Sequence, residues 1–239
     1  MIYNWLKSKL SCFFPKHCLL CLSVTQSEHS LCSACEKDLP KNDSHCLICS
    51  SPLAITTKIS KRLVCGNCQK KPPFYNTSLI PYLYASPIKQ LITQFKFHRT
   101  LSYAPLLAQS FLNASLRANR RLPDCIIPAP LHKERLHERG FNQALELARI
   151  ISKQLSIPLN YSLCVRKKAT PFQSGLSAKQ RKRNLKNAFS VIKTPEYRHV
   201  AIFDDVVTTG STVNELAKQL KNAGVEIVEV WAIARTGDK

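Results

Sequence analysis

The residues with the clearest chemical potential lie in segment 201–213, which reads AIFDDVVTTGSTV. An apolar run ends at two adjacent carboxylates, Asp204 and Asp205, and a loop of small residues then leads into a helical pattern. Backbone N–H groups at the start of a helix bind phosphate, and Gly210 lets the backbone approach a ligand closely. Two carboxylates would repel a phosphate unless the ligand also carries hydrogen-bond donors, such as ribose hydroxyls. Mg²⁺ can neutralise the remaining charge. The segment therefore predicts a site for a sugar phosphate with vicinal hydroxyls, near a metal ion.

Basic residues follow another apolar run, in segment 125–148, CIIPAPLHKERLHERGFNQALELA. The pattern indicates a short strand that ends at Pro128, a loop that carries Lys133, Arg135 and Arg139, and a helix that begins within RGFNQ. Cationic side chains and free N–H groups at a strand end suit a pyrophosphate. A solvated basic loop is the alternative, and it would be the better explanation for any one of these residues taken alone.

The segment from residue 166 to 198 is also basic, with ten Lys and Arg residues and one acid, Glu196. A segment of this kind would cover a pyrophosphate or present a surface to nucleic acid, and a solvated charged loop is the alternative. The formal net charge of the whole chain is +20, which predicts attraction to polyanions such as DNA, RNA or acidic lipid.

Eight of the 11 cysteines form four CxxC pairs. In a reducing cytoplasm this spacing indicates metal binding, because each CxxC turn places two thiolates on one ion. Consecutive pairing predicts two structural zinc sites, in which four thiolates leave no position for substrate: Cys18, Cys21, Cys32 and Cys35, then Cys46, Cys49, Cys65 and Cys68. An interleaved pairing uses the same residues, and redox dithiols or an iron–sulfur cluster are the alternative chemistries.

The elements that must position these residues divide the chain into a zinc-ribbon domain, 1–72, and an α/β domain, 79–239, joined by a proline-containing bridge. In the second domain we predict strands at 79–84, 125–128, 159–165, 199–204 and 225–234, and helices at 88–97, 102–119, 142–156 and 211–222. Strands that alternate with helices indicate a parallel α/β sheet. Ligands of such sheets bind beyond the carboxyl ends of the strands, where the two acids and the small-residue loop are placed.

Segment 201–212 resembles the 5-phosphoribosyl 1-pyrophosphate (PRPP) motif of type I phosphoribosyltransferases. Over nearly the whole chain, the sequence resembles the ComF family of competence proteins. The resemblance rests on the cysteine pairs and on five further stretches: FKF at 95–97, PAPLHKERLHERGFNQA at 128–144, TPFQSGLSAKQRKRNLKNAF at 170–189, IFDDVVTTGST at 202–212 and IAR at 233–235.

This resemblance implies a type I phosphoribosyltransferase fold that binds PRPP with Mg²⁺, and leaves open whether any group is transferred. Asp204 and Asp205 would orient the ribose as the catalytic residues. The remaining PRPP-binding residues would be Val206, Val207, Thr208, Thr209, Gly210, Ser211 and Thr212. The pyrophosphate-binding and lid residues would be Pro130, Leu131, His132, Arg135, Arg139, Arg181 and Arg183.

The implied role is in natural transformation, where the family helps bring single-stranded DNA into the cytoplasm. The implied partners are PRPP, single-stranded DNA, and the inner-membrane DNA-uptake machinery or a recombination mediator. The alternative is an active phosphoribosyltransferase acting on an unidentified nucleobase, nucleotide or DNA-linked acceptor. No run approaches the roughly 18 apolar residues that a membrane-spanning helix needs, so we expect a cytoplasmic protein. Its N-terminal segment, MIYNWLKSKL, would pack on the zinc region or contact the inner face of the membrane.

Overall fold

The computed structural model describes residues 16–27, 30–54, 63–97, 101–115, 121–168, 185 and 187–237. The predictions for segment 1–10, for most of the basic segment 166–198, and for Arg181 and Arg183 fall outside these residues. Within the described part, no helix combines the length and the apolar character needed to cross a membrane.

The cysteine-rich part is built from short elements around the CxxC turns. They are strands β1 (Lys16–His17) and β2 (Val24–Thr25), which form an antiparallel pair, and helices α1 (Ser33–Lys37) and α2 (Gly66–Lys70). The α/β part follows with β3 (Thr77–Leu79), β4 (Tyr82–Leu83), α3 (Ile88–Phe97), α4 (Tyr103–Ser115), β5 (Cys125–Pro128), α5 (Lys133–Arg139), α6 (Gln143–Leu155), β6 (Cys164–Arg166), β7 (Phe189–Val191), β8 (His199–Val207), α7 (Ser211–Asn222) and β9 (Ile227–Arg235).

The main sheet is parallel and has the strand order β3–β9–β8–β5, with β4 also paired to β9. In this register Phe203 of β8 lies opposite Trp231 of β9 on one side and Pro128 of β5 on the other. The strands alternate with helices along the chain, so the predicted parallel α/β class is confirmed.

Buried side chains cover both faces of this sheet. On one face, packed by α3, α4 and α6, the ring of Phe111 lies 5.5 Å from the rings of both Phe203 and Trp231, measured between centroids. On the other face, α7 and the β6–β7 hairpin bury Phe189 and Ile202 in a second cluster. Each large apolar side chain buried in this way stabilises the fold by about 1.5–3 kcal/mol. Because both faces are covered, the central strands appear in the sequence as continuous apolar runs.

Several predicted elements have the observed bounds, and two predicted strands are wrong. Helices 88–97 and 211–222 and strand 125–128 match. The predicted strand 79–84 is interrupted at Pro81, which has no N–H to donate to a ladder, and becomes β3 and β4. Of the predicted strand 159–165, Leu159 forms a parallel bridge with Ile126 of β5, and the end of the segment instead belongs to β6, which pairs antiparallel with β7. The sequence did not indicate this antiparallel pair.

The region read as a basic loop is helix α5. His132 is its N-cap and accepts a hydrogen bond at Nδ1 from the Glu134 N–H. Gly140 ends the helix in a left-handed conformation with φ 80°, which favours glycine. The acid in the first turn and the basic residues in the last turn also complement the helix dipole. The His132 cap, the acid in the first turn and Gly140 are the sequence signals for this helix, which corrects the predicted loop.

The cysteine-rich part is hydrogen-bonded to the edge of the sheet. Asn42 Nδ2 donates to the carbonyl oxygens of Ser50 and Ile80, at 2.9 and 3.2 Å. The Thr77 hydroxyl of β3 donates to the Leu47 carbonyl at 2.8 Å. These contacts hold the second pair of CxxC turns beside β3.

Candidate functional site

The two acidic residues lie inside β8, which continues past the predicted end at residue 204, and they face opposite sides of the sheet. On one side, Lys96 Nζ of α3 lies 2.8 Å from Oδ2 of Asp205, in an ion pair whose side chains are 17% and 9% exposed. On the other side lies Arg166 of β6, whose charge acts on Asp204 together with that of Lys96. The Asp205 N–H donates to Oδ1 of Asp204 at 2.9 Å. The adjacent carboxylates are tolerated because cations lie on both faces of the strand.

Asp204 has the more perturbed environment of the two. Burial is the main reason that its pKa rises to about 7, and the charge of Asp205 raises this pKa further, while Lys96 lowers it in part. A carboxyl group in this state is stabilised as the anion when a cation or hydrogen-bond donor arrives. Asp205 is already engaged by Lys96, so Asp204 is the acid better placed to contact a ligand.

The loop after β8 leads directly into α7. Gly210 is the N-cap residue of this helix, with φ 72°, and it offers no side chain to the N–H groups of the first turn. The hydroxyls of Thr209 and Ser211 lie 2.9 Å apart beside these N–H groups. The Ser211 N–H donates to the Thr209 hydroxyl at 3.4 Å. The N–H groups of the first turn, two hydroxyls and the positive end of a 12-residue helix form a suitable environment for a phosphate. Thr208 and Thr212 flank this group, and Val206 and Val207 belong to the strand.

The segment that follows β5 begins beside the two acids, because β5 pairs with β8. The Ala129 N–H donates to the carbonyl of Phe203, the residue before Asp204, at 2.8 Å. Asn142, the N-cap of α6, donates from Nδ2 to the Ala129 carbonyl at 3.1 Å. The strand end and the start of α6 therefore fix the backbone at Ala129, and Pro130, Leu131 and His132 continue the chain from there.

Two arginines from different elements interact electrostatically at this edge. Burial lowers the pKa of Arg135, and the neighbouring charge of Arg139 lowers it further. Burial is also the main reason that the pKa of Arg166 is lowered, and the charge of Arg135 lowers it further. The charge of Asp204 raises the pKa of Arg166 in part. A half-buried guanidinium group that a second arginine repels and a carboxyl group attracts is electrostatically suited to a multiply charged anion.

The structure does not place all predicted pyrophosphate residues in one role. Arg139 donates to Oε1 of Gln143 at 3.0 Å, so in this structure it braces the start of α6. Lys96 and Arg166 were missed as site residues. The signal for Lys96 was a lone cation between Phe95 and Phe97 on a helix whose apolar face is buried. Arg166 gave no signal of its own, because its proximity to Asp204 depends on the β6–β7 hairpin.

The eight paired cysteines form two tetrads, with consecutive pairing as predicted, which excludes the interleaved pairing. In each tetrad, all sulfur atoms lie within 4.8 Å of one another. The first tetrad contains Cys18, Cys21, Cys32 and Cys35, and the second contains Cys46, Cys49, Cys65 and Cys68.

The spacing of these thiols fits zinc, and burial and hydrogen bonds shift their pKa values in different directions within each tetrad. Sulfur atoms of Cys21 and Cys32, and of Cys49 and Cys65, lie 3.7 Å apart, close to the separation of about 3.8 Å in a tetrahedral zinc–thiolate site and far from a disulfide bond. Burial raises the pKa of Cys18, but backbone N–H groups lower it to a net value of about 6. The same balance lowers the pKa of Cys46 to about 7. The tetrads are therefore consistent with two structural zinc ions.

A cleft of about 1080 Å³ lies between the second tetrad and the start of α7. Its walls include Lys70, Lys71 and Phe74 on the ribbon side and Ser211 and Lys218 on the helix side. The Phe74 side chain is 47% exposed, and Lys218 Nζ lies 5.6 Å from the centre of its ring. The cleft thus combines an exposed aromatic ring with several cations, next to the loop that suits a phosphate.

Comparison with known proteins decides the family. A double zinc ribbon domain model matches residues 9–69, and a phosphoribosyl transferase domain model matches residues 142–239. Competence protein F of Haemophilus influenzae is 40% identical over 233 residues, covering 93% of this chain and 98% of that protein. This chain belongs to the ComF family of competence proteins.

Other relatives carry related names. The DNA utilization protein YhgH of Escherichia coli K12 is 37% identical over 227 residues, covering 93% of this chain and 98% of that protein. Competence protein ComFC of Bacillus subtilis is 25% identical over 229 residues, covering 87% and 89%. A purine phosphoribosyltransferase from Pyrococcus horikoshii aligns with a TM-score of 0.29 and 17% identity, over 59% of this chain and 83% of that structure.

The predicted membership of the ComF family is confirmed, as is the predicted pair of zinc-ribbon cysteine clusters ahead of a phosphoribosyltransferase-type domain. The domain match includes Asp204, Asp205 and the loop that follows them. It begins at residue 142, so the match does not reach Lys96 or Arg135. Lys96 is associated with the site by its ion pair with Asp205, and Arg135 by the effect of its charge on Arg166.

Proposed function

We propose that this ComF-family protein binds PRPP with Mg²⁺ at the carboxyl edge of its sheet and acts in the uptake and use of single-stranded DNA. The observation that carries the proposal is the position of Asp204 in β8: the charge of Arg166 acts on this carboxyl group, and the strand leads from it into a loop suited to a phosphate. The edge thus combines two features that favour anions, the arginines and the loop, with a pair of carboxylates. PRPP has a 5′-phosphate, a ribose diol and a pyrophosphate in this order.

Each part of PRPP has a chemically matched set of residues. The loop Thr208–Thr212 offers N–H groups and hydroxyls to the 5′-phosphate. Asp204 accepts hydrogen bonds from the ribose hydroxyls. Asp205 accepts them as far as its ion pair with Lys96 leaves its oxygen atoms available. Arg135 and Arg166 face the pyrophosphate, with Pro130, Leu131 and His132 supplying the backbone around it.

The residues present also fit Mg²⁺ arriving with PRPP. Mg²⁺ retains most of its waters and commonly binds one or two carboxylates together with substrate phosphates. Asp204 is the carboxylate in the right state for this, because a cation nearby would offset the burial that raises its pKa. Bound Mg²⁺ would neutralise pyrophosphate charge.

The arrangement of two anion-binding features predicts a specific order of affinities. In calorimetric titrations with Mg²⁺, PRPP should bind at least about tenfold more tightly than either ribose 5-phosphate or pyrophosphate, since each lacks one of the two charged groups. Equal affinity for PRPP and pyrophosphate would show that the loop takes no part. Equal affinity for PRPP and ribose 5-phosphate would show that the arginines take none.

The DNA part of the proposal is supported by the cleft that contains Phe74 and by the names of the relatives. Aromatic rings that stack on bases and cations that contact the backbone are the usual means of binding single-stranded nucleic acid. The chain as a whole is strongly basic. We propose that the protein works in the cytoplasm, at the inner face of the membrane, with the DNA-uptake machinery or a recombination mediator as a protein partner.

Complementation tests the biological role. The gene for this chain should restore transformation to a Haemophilus influenzae strain that lacks Competence protein F. The same gene with Asp204→Asn and Asp205→Asn should fail to do so at equal protein level. Failure of the unmodified gene at normal protein level would count against a role shared with that relative.

An active phosphoribosyltransferase is a second candidate, favoured by the carboxyl group of Asp204, on which the charge of Arg166 acts. In such a reaction the bond between the ribose anomeric carbon and pyrophosphate breaks, an acceptor nucleophile bonds to that carbon, and the acceptor loses a proton. The arginines would stabilise the departing pyrophosphate, and the carboxylates would stabilise the cationic sugar. Pyrophosphate release above background with a nucleobase, nucleotide or DNA acceptor would establish this activity, and background rates with all of them would exclude it for those acceptors.

A further inference from the structure

A buried arginine links the second cysteine tetrad to the loop that suits a phosphate. Arg235 is the last residue of β9, and only 4% of it is exposed. On the ribbon side, Nε donates to the Cys49 carbonyl and Nη2 donates to the Ser51 hydroxyl, both at 3.1 Å. On the loop side, Nη1 donates to the carbonyl oxygens of Val207, at 3.3 Å, and Thr208. A single guanidinium group therefore contacts both regions.

This arrangement makes the two regions depend on each other. Burying a charged group is costly unless its hydrogen bonds are made, and the planar guanidinium holds its donors in a fixed geometry. The carbonyls of Cys49 and Thr208 must therefore stay in place together. Cys49 is also a ligand in the second tetrad, so a metal ion there would fix the position of its carbonyl.

A second set of contacts reaches the same loop from the bridge after the second tetrad. The Phe74 N–H donates to Oδ1 of Asn214 in the first turn of α7, at 2.7 Å. The hydroxyl of the buried Tyr75 lies 3.7 Å from the position that a Cβ on Gly210 would occupy. The second tetrad is thus linked to the phosphate-binding loop and α7 in two ways, through Arg235 and through the bridge that follows the tetrad.

The first tetrad lies in different surroundings from the second, against the core of the α/β part. Cys18, Cys32 and Cys35 pack against the core on the face covered by α3, α4 and α6. Helix α1, which lies in this part, contacts α4 through a hydrogen bond from Asn113 Nδ2 to Oε1 of Glu36, at 3.1 Å. The first tetrad is therefore a natural control for the second.

We propose that Arg235 is a positioning residue that transmits metal occupancy of the second tetrad to the phosphate-binding loop. With the second tetrad filled, the loop is held ready for an anion. Loss of that metal, or of Arg235, loosens residues 206–214 and weakens anion binding, whereas loss of the first metal does not. The effect on PRPP rests on the function proposed above, but the effect on loop order does not.

The test measures amide hydrogen exchange of residues 206–214 and PRPP affinity in three variants. Arg235→Gln removes the link, Cys65→Ser removes a ligand of the second tetrad, and Cys21→Ser removes a ligand of the first. We expect loop exchange to rise by about tenfold or more in the first two and to stay near wild type in the third. PRPP affinity should fall by a similar factor in the first two only, and Arg235→Gln should still hold two zinc ions.

A matched control separates the loop effect from general destabilisation. His199 and Glu229 form a buried pair, Nε2 to Oε1 at 3.2 Å, near the amino ends of β8 and β9 and away from the loop. His199→Gln should lower global stability and leave loop exchange and PRPP affinity unchanged. Arg235→Lys keeps the charge but not the planar donor geometry, so it should not restore the loop.

Three results would overturn the inference: unchanged loop exchange in Arg235→Gln and Cys65→Ser, an equal rise in Cys21→Ser or His199→Gln, or full restoration by Arg235→Lys. If the wild-type protein does not bind PRPP, the proposed function fails, and hydrogen exchange still decides this inference.

Discussion

The ammonium group of Lys96 lies 2.8 Å from a carboxylate oxygen of Asp205, and both side chains are largely buried. Removing one partner of such a pair leaves an uncompensated charge inside the protein. We expect Lys96→Met to lower the free energy of unfolding by on the order of 3 kcal/mol. The double variant Lys96→Met, Asp205→Asn should recover most of the loss, because no isolated charge remains. Urea unfolding of the four proteins of this cycle, each with zinc bound, measures the coupling; additive losses would mean that the pair does not act as one unit.

The pKa of Asp204 predicts how stability depends on pH. Its folded value of about 7 lies above the ordinary value of 3.8, so the unfolded chain ionises first as the pH rises. The cost of folding with this residue therefore appears between those values and is complete above pH 7. Asp204→Asn should stabilise the protein more at pH 8 than at pH 5, by roughly 1–3 kcal/mol, when each is compared with wild type at the same pH.

Asp124 provides a control of opposite sign. The His199 N–H is the main cause of its lowered pKa, and the Arg198 N–H adds to it. Asp124→Asn should therefore give no gain in stability at either pH. An equal gain from Asp204→Asn at pH 5 and pH 8, measured by chemical unfolding, would contradict the assigned environment of Asp204.

Backbone conformation at Gly210 gives a third prediction. Its φ is 72°, and a Cβ there would meet Tyr75 Oη at an ordinary distance of 3.7 Å, so the strain of Gly210→Ala comes from the backbone rather than from a clash. We expect a cost of about 1–2 kcal/mol in unfolding free energy and weaker PRPP binding. Gly66→Ala, where a Cβ meets nothing within 4 Å, should be close to neutral in both measurements. A neutral result at Gly210 would mean that the loop tolerates another conformation.

The cleft beside the second tetrad predicts the DNA-binding residues. Phe74→Ala should weaken binding of a single-stranded oligonucleotide by about 1–3 kcal/mol, through loss of stacking. Lys218→Gln should weaken it and also reduce the dependence of log affinity on log salt by about one unit, because one phosphate contact is lost. Lys153→Gln, on the exposed side of α6, is the charge-matched control. Fluorescence anisotropy at several salt concentrations would decide; equal effects of Lys153→Gln and Lys218→Gln would place the DNA elsewhere.

The sequence predicted those parts of the site in which local chemistry and chain position coincide. The CxxC turns defined both tetrads, since each turn forms half of a metal site by itself. The DDVVTTGST stretch placed the two acids and the loop together, since they are consecutive in the chain. Apolar runs at residues 125–128 and 201–203 predicted buried parallel strands, because both of their faces are covered.

The parts that the sequence missed depend on pairings between distant segments. Lys96 reaches Asp205 only because α3 packs on the face of β8 that Asp205 shares with Phe203. The charge of Arg166 acts on Asp204 because β6 pairs antiparallel with β7 instead of forming a strand of the main sheet. Arg235 ends the IAR motif, which predicts no partner for it, although its contacts extend to Cys49, 186 residues earlier. No local pattern encodes these distances.

The most direct test of the central claim is calorimetric titration of PRPP with Mg²⁺ into the zinc-loaded protein and into the variant Asp204→Asn, Asp205→Asn. The account predicts binding by the wild type and a loss of at least about tenfold in the variant, with both proteins holding two zinc ions and unfolding cooperatively. Absence of binding by the folded, zinc-loaded wild type, or equal binding by the two proteins, would contradict it.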